Sequence, residues 1–97
     1  MAYRIMIISF KHKGLELFFI KNDKRLLDAK QVKKLSILLD TLDNAETIED
    51  LDIPGVRLHQ LSGDKKNLWS MRVSGNWRLT FRFEKSNVFE VNLEDYH

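Results

Sequence analysis

The second half of the chain alternates apolar and polar residues with a period of two. Three runs show this pattern, at 69–74, 77–83 and 89–93, and short turn-forming segments separate them. Because successive side chains of a strand point to opposite faces of the sheet, each run predicts a strand with one apolar and one polar face. The pattern predicts an antiparallel meander whose apolar face other segments must cover. By this parity the core includes Trp69, Trp77 and Phe89.

The first half of the chain supplies that cover. Residues 4–10 form a short, nearly continuous apolar run, which predicts a strand covered on both faces. The i, i+3, i+4 spacing of Leu15, Phe18 and Phe19 predicts a helix over 13–22. For a second helix, ending near Asn44, Asp28 offers an N-cap with Gln31 as its capping-box partner. The apolar stripe of this second helix comprises Val32, Leu35, Leu38, Leu39 and Leu42.

These segments, with one further strand over about 56–61, predict an α+β fold in the order β-α-α-β-β-β-β. One antiparallel-dominated sheet is covered on one face by two N-terminal helices. The 97 residues, 43% of them hydrophobic, predict one domain over 1–97 with a modest core.

Residues 1–10 contain Arg4 and no small-residue cleavage site, so no signal peptide is predicted. No run of about 18 apolar residues predicts a membrane span. We therefore expect a cytoplasmic protein.

Charge is distributed unevenly along the chain. The net charge is +2 overall, but +6 over residues 1–34, −6 over 35–54 and +2 over 55–97. A segregated basic surface suits a polyanionic partner, although a solvated charged surface without any partner explains the same pattern. Cysteine is absent, and His12, His59 and His97 lie far apart in sequence, so we expect neither a metal nor another cofactor.

Polar groups suited to proton transfer follow the last predicted strand. Asp95, Tyr96 and His97 place an acid, a phenol and an imidazole side by side, while His59 and Arg78 lie on other predicted strands. Such groups, without a metal, suit cleavage of RNA by its own 2′-hydroxyl. A base removes the 2′-hydroxyl proton, an acid protonates the 5′-oxygen, and cations stabilise the pentacovalent phosphate. DNA lacks this nucleophile.

Each group also has a plain structural explanation. His12 is expected to be a surface residue, and His59 is more often a packed or exposed strand residue than a catalyst. The three arginines of the polar face, Arg72, Arg78 and Arg82, are also consistent with a solvated sheet surface. Residue chemistry alone leaves both RNA cleavage and passive RNA binding open.

Four segments carry a more specific signal: SFKHKGL at 9–15, LHQLSGDKK at 58–66, LWSMRVSGNWRLTF at 68–81, and EDYH at 94–97. Together they resemble the HigB branch of the RelE toxin superfamily over nearly the whole chain. The resemblance implies a toxin of a type II toxin–antitoxin system that cleaves mRNA on the translating ribosome, in the decoding site. It implies neutralisation by a HigA-type helix-turn-helix antitoxin, which contacts operator DNA, so that the toxin reaches DNA only through the complex. The alternative is a non-catalytic RNA- or antitoxin-binding module of the same fold.

The resemblance also implies which residues act. Catalysis is expected of His59, Arg78, Asp95, Tyr96 and His97, with Asn76 beside them. RNA binding is expected of Asn76, Lys65, Lys66, Arg72 and Arg82. One departure from the family pattern is Ser62, which stands where the family has a lysine. Either Lys65 or Lys66 replaces that charge, or the site relies more on Arg78.

Overall fold

The predicted order of elements is confirmed in the computed structural model, which describes residues 4–61, 63 and 67–96. The five strands form one sheet in the order β1-β5-β4-β3-β2, in which β1 runs parallel to β5 and the other neighbours are antiparallel. The elements are β1 Met6–Ile7, α1 Lys13–Lys21, α2 Val32–Asn44, β2 His59–Gln60, β3 Leu68–Ser74, β4 Trp77–Glu84 and β5 Asn87–Asp95. A 3-10 turn, Ile48–Leu51, follows α2. Neither helix in these described ranges is long and apolar enough to cross a bilayer.

The core lies between the helices and one face of the sheet, as the alternation predicted. Four leucines of α2 are fully or almost fully buried: Leu35, Leu38, Leu39 and Leu42. They form one cluster with Leu15 of α1 and with Met71, Leu79 and Phe81 of the sheet. Burying a leucine-sized side chain contributes about 1.5–3 kcal/mol, so this one-sided layer supplies much of the stability.

The first strand is shorter and less covered than predicted. Only Met6–Ile7 forms β1, with an isolated bridge from Phe10 to Val91. Ile5 is fully buried, whereas Met6 and Ile8 are 46% and 51% exposed. The prediction of cover on both faces is wrong because β1 is an edge strand whose alternate residues face away from the helices.

The predicted start of the second helix is also wrong. α2 begins at Val32 with Gln31 as N-cap, and no side chain caps it. Asp28 instead accepts the backbone N–H of Lys30 through Oδ1 at 2.9 Å, which stabilises a turn before the helix. Asp and Asn form such local turns as readily as helix caps, so their position alone does not distinguish the two.

Two further predictions fail at the ends of strands. Trp77 is 36% exposed rather than part of the core, because it is the first residue of β4 and lies at the margin of the helical cover. The strand predicted over about 56–61 is reduced to His59–Gln60. Backbone bonds from Arg72 N–H to Val56 O and from Leu61 N–H to Leu68 O still hold the flanking residues against β3.

A β-bulge in β5 changes which face Phe89 occupies. Thr80 is in register with Asn92, but Arg82 is in register with Phe89, so residues 90 and 91 together oppose the single residue 81. Glu90 has a left-handed backbone, with a φ of 55°, as the first residue of one common class of bulge does. Val88 and Val91 are both fully buried as a result. Phe89 therefore lies on the open face, and its predicted place in the core is wrong.

His12 is a helix cap rather than a surface residue. It is the N-cap of α1, and its Nδ1 accepts the backbone N–H of Leu15 at 3.1 Å. The ring packs so closely on Gly14 that a Cβ at that position would lie 2.9 Å from Cε1 of His12. Burial lowers the pKa of His12 below its ordinary value of 6.5. The neutral ring is thus the form that caps the helix.

We predict that this cap makes stability depend on pH. Because the folded pKa is depressed, the unfolded chain binds more protons, so stability is full above the unfolded value of 6.5 and is lost as pH falls. Urea unfolding between about pH 5 and 7 should show the change, and His12→Asn, which keeps an acceptor, should reduce the slope. His12→Ala should cost about 1 kcal/mol at neutral pH. Identical pH dependence in the wild type and both variants would contradict this role.

Candidate active site

The face of the sheet opposite the helices carries aligned polar side chains from three strands. Across it, Arg72 is in register with Arg78, and Arg78 with Glu94. One step along, Ser70 is in register with Thr80, and Thr80 with Asn92. Since residues in register share a face, these side chains form two polar rows on what we call the open face.

A groove of about 210 Å³ lies on the open face. Its lining includes two leucines, Leu68 of β3 and Leu61 of the preceding segment. It is lined by Lys11, Leu61, Leu68, Thr80, Glu90, Asn92, Glu94 and Tyr96. The groove combines a cation, carboxylates and a phenol, which are groups able to bind a phosphate and move protons.

Two hydroxyl groups of the open face are buried, and one of them, that of Thr80, lines the groove. Thr80 is 5% exposed, and its Oγ1 donates to Oε2 of Glu94 at 2.5 Å. Ser70 is fully buried, and its Oγ has no hydrogen-bond partner within the described residues. Ser70 and Thr80 are in register, so the two hydroxyl groups lie side by side on the open face.

Tyr96 and Arg78 meet at one end of the groove. The backbone N–H of Tyr96 donates to Asn76 O at 2.8 Å, which extends the pairing of β5 with β4 beyond Asp95. The Cζ of Arg78 lies 6.0 Å from the centroid of the Tyr96 ring. Arg78 Nη1 also donates to the carbonyl oxygens of Gly75 and Trp77, at 3.0 and 3.2 Å. The hairpin turn thus fixes a guanidinium beside the phenol, while the side chain of Asn76 is exposed beside them.

The C-terminal cluster expected from sequence is divided between the two faces. Asp95 is in register with Trp77, so strand alternation places it on the face of Leu79 and Leu93, opposite to Tyr96. It is exposed there. His97 lies outside the described residues, as do Lys65, Lys66 and Ser62.

The remaining predicted residues differ in their surroundings. His59 is exposed on β2, in register with Ser70, and its Nδ1 lies 2.9 Å from Arg57 O. Arg72 is half-buried beside Arg78 in the row defined above. These positions bring His59, Arg72 and Arg78 to one face.

Arg82 differs from Arg72 and Arg78 because its guanidinium forms ion pairs with two carboxylates. Its guanidinium binds Glu84 at 2.7 Å and Glu90 at 3.4 Å, and its Cζ lies 4.8 Å above the ring of Phe89. Its predicted role in RNA binding stays a prediction.

Of the eight residues that line the groove, only Tyr96 was among the sequence-predicted site residues; Lys11, Thr80 and Glu94 are among those that were not. The available signal was parity, since Thr80 is two residues from Arg78 and Glu94 two from Tyr96, and residues i and i+2 of a strand share a face. Lys11 gave no such signal, because it reaches the groove through the connection between β1 and α1. Within the described ranges, no group of three or more His, Asp or Glu side chains is placed to hold a metal.

We predict that the ionisation of Tyr96 reports the arrangement of the groove. Burial raises the pKa of the phenol above its ordinary value of 10.0; the Glu94 carboxylate raises it further, and the Arg78 guanidinium opposes the shift. Glu94→Gln should therefore lower this pKa, and Arg78→Gln should raise it. Ultraviolet titration of tyrosinate, with Tyr96→Phe as the reference that isolates this residue, measures both shifts. A pKa that neither substitution moves would contradict the geometry.

Comparison with known proteins identifies relatives of matching length. The chain is 41% identical over 92 residues to endoribonuclease HigB of Proteus vulgaris, covering 95% of this chain and all of that protein. It is 38% identical over 94 residues to toxin HigB-1 of Vibrio cholerae, covering 94% and 98% of the two chains.

Solved structures share the fold at lower identity. The YoeB dimer from Staphylococcus aureus matches with a TM-score of 0.57 and 21% identity, over 98% of this chain and 99% of that one. A YafQ mutant from E. coli matches with a TM-score of 0.54 and 22% identity, over 96% and 93%. The family model for the RelE-like toxin HigB of type II toxin–antitoxin systems matches residues 8–97. The chain therefore belongs to the HigB-like family of RelE-like toxins of type II toxin–antitoxin systems.

Proposed function

We propose that the protein is a metal-independent endoribonuclease that cleaves mRNA in the decoding site of the translating ribosome. The observation that carries the proposal is the juxtaposition of Arg78 and Tyr96 at the end of a polar groove, on the face of the sheet that the helices leave open. The relative from Proteus vulgaris is named an endoribonuclease, which supports the same activity here.

The groups of the open face suit attack by the RNA 2′-hydroxyl. Arg78 binds a phosphate oxygen through its guanidinium, which is planar and permanently charged. Tyr96 orients the phosphate or stacks on a base, and Asn76 and Arg72 bind the neighbouring backbone. His97 acts as general acid or stabilises the phosphate, an assignment that rests on sequence. The sequence offers His59 or Asp95 as proton acceptor.

The shape of the site supports dependence on the ribosome. A groove of about 210 Å³ on an open sheet is too small to orient a nucleotide chain by itself. Orientation of reacting groups contributes up to about 7–11 kcal/mol in favourable cases. The ribosome, which already holds mRNA in a fixed path, supplies this orientation.

The proposed function includes a partner protein, the antitoxin. Membership of a type II toxin–antitoxin family implies an antitoxin partner. We propose a HigA-like helix-turn-helix protein, with operator DNA contacted only through the complex. Inhibition of translation by the free toxin then arrests growth until the antitoxin binds it.

We predict that Arg78→Ala abolishes mRNA cleavage while the protein stays folded. In a translating bacterial extract, wild-type protein should produce mRNA fragments that end in a 2′,3′-cyclic phosphate, and expression without antitoxin should arrest growth. Arg78→Ala should lose both effects at an unchanged melting temperature, because alternation points this side chain away from the core.

The matched control for this experiment is Arg25→Ala. Arg25 is exposed and pairs with Asp23 in the loop between the helices, so its loss removes the same charge outside the groove. It should leave cleavage intact. Full translation and undisturbed growth with abundant folded wild-type protein would contradict the proposed activity, and would favour the non-catalytic binding module.

A further inference from the structure

We propose that Glu94 is the proton acceptor of the groove, the group that removes the proton from the RNA 2′-hydroxyl. This inference rests on the proposed ribonuclease function and names a residue for its first step. Three observations carry it: the face on which Glu94 lies, the hydrogen bond that orients its carboxylate, and the positions of the other two candidates.

Glu94 lies on the open face at the centre of the proposed site. It is in register with Arg78 across β4 and β5, and it precedes Tyr96 by two residues, so the three side chains share one face. Glu94 and Tyr96 both line the groove. The carboxylate is therefore adjacent to the guanidinium and the phenol that would hold the scissile phosphate, which is where a base for the neighbouring 2′-hydroxyl must be.

Thr80 holds this carboxylate in one orientation. Its hydroxyl donates to Oε2 of Glu94 at 2.5 Å, and the threonine is itself 95% buried, so the donor is fixed by the surrounding fold. A carboxylate offers about four acceptor positions on two oxygens, so one hydrogen bond orients the group without using up its capacity. An oriented base needs no rearrangement at the moment of reaction.

The other candidate acceptors are less well placed. Asp95 follows Glu94 directly, and its register with Trp77 puts it on the opposite face of the sheet. His59 lies on edge strand β2, which β3 and β4 separate from the strand of Glu94, and its Nδ1 is next to the carbonyl oxygen of Arg57. Glu90 also lines the groove, but its carboxylate binds Arg82 at 3.4 Å. Glu94 is the groove carboxylate that lies in register with Arg78.

The proposed reaction transfers one proton to Glu94 and one to the leaving oxygen. The 2′-O–H bond breaks and its proton passes to the carboxylate of Glu94, while the 2′-oxygen forms a bond to phosphorus. The P–O5′ bond breaks, and the leaving 5′-oxygen takes a proton from the general acid, assigned above to His97. The products are a 2′,3′-cyclic phosphate and a 5′-hydroxyl.

Single-turnover cleavage of ribosome-bound mRNA tests this role. Glu94→Gln keeps the size and a hydrogen-bond acceptor for Thr80 but cannot take the proton, so the rate should fall by about 10²–10⁴-fold. Affinity for the ribosome should be unchanged. Thr80→Val, which removes the orienting hydroxyl, should lower the cleavage rate on the order of tenfold. Thr80→Ser, which keeps the hydroxyl, should cleave at the wild-type rate. Glu49→Gln, at an exposed position of the 3-10 turn, is the charge-matched control and should cleave like the wild type.

A modified substrate separates a base from an acid or a structural residue. With sulfur replacing the bridging 5′-oxygen, the leaving group needs no proton, so the defect of His97→Gln should be relieved. The defect of Glu94→Gln should remain, because the 2′-hydroxyl must still lose its proton. Relief of the Glu94→Gln defect by this substrate would overturn the assignment.

The remaining outcomes are equally decisive. Cleavage by folded Glu94→Gln within about threefold of the wild-type rate would overturn the proposal. Should Glu94→Gln lack a normal melting transition, the Thr80 variants decide, and Thr80→Val at the wild-type rate would overturn it. Failure of the wild type to cleave ribosome-bound mRNA would instead contradict the proposed function itself.

Discussion

The β-bulge of β5 is the constraint on which the rest of the structure depends. By opposing two residues to Phe81, it keeps both Val88 and Val91 fully buried beneath the helices. Its left-handed residue, Glu90, is stabilised by the segment that follows β1: Ser9 Oγ accepts the Glu90 N–H at 2.9 Å, and Ser9 O accepts that of Val91. The carbonyl oxygen of Val91 accepts the N–H groups of Lys11 and His12, so the bulge also anchors the entry to α1.

The bulge and its hydrogen bonds to residues 9–12 link the core to the candidate site. The bulge sets the parity of every later residue of β5, which directs Val91 and Leu93 towards the helices and Asn92, Glu94 and Tyr96 towards the open face. The same hydrogen bonds bring Lys11 to the rim of the groove and hold His12 where it caps α1. One face of the sheet therefore provides stability, and the other presents the groups of the proposed active site.

Much of this arrangement could be predicted from the sequence, because it follows from periodicity. The leucine stripe of α2 gave the helical cover, and the alternation of β4 gave the open-face position of Arg78. The bulge escaped prediction because Glu90 carries none of the glycine signals of left-handed backbone. Without it, Phe89 was assigned to the core.

The residues of the site were predictable only in part, because strand register decides which side chains meet. Tyr96 and Arg78 were identified by their chemistry, whereas the pairing of Thr80 with Glu94 depends on the cross-strand register, which no local motif encodes. Asp95 was expected beside Tyr96 because the two are adjacent in sequence, yet adjacent residues of a strand face opposite ways. The cap formed by His12 depends on contacts with Gly14 and Leu15 that histidine rarely makes.

The central claim is that the open face is a catalytic surface which the ribosome completes. The most direct measurement is the single-turnover cleavage rate of one mRNA, free and bound in the decoding site, by the wild-type protein at equal concentration. Orientation by the ribosome predicts that bound mRNA is cleaved faster by several orders of magnitude, at one position and with a 2′,3′-cyclic phosphate end. Equal rates on free and bound mRNA would contradict the claim.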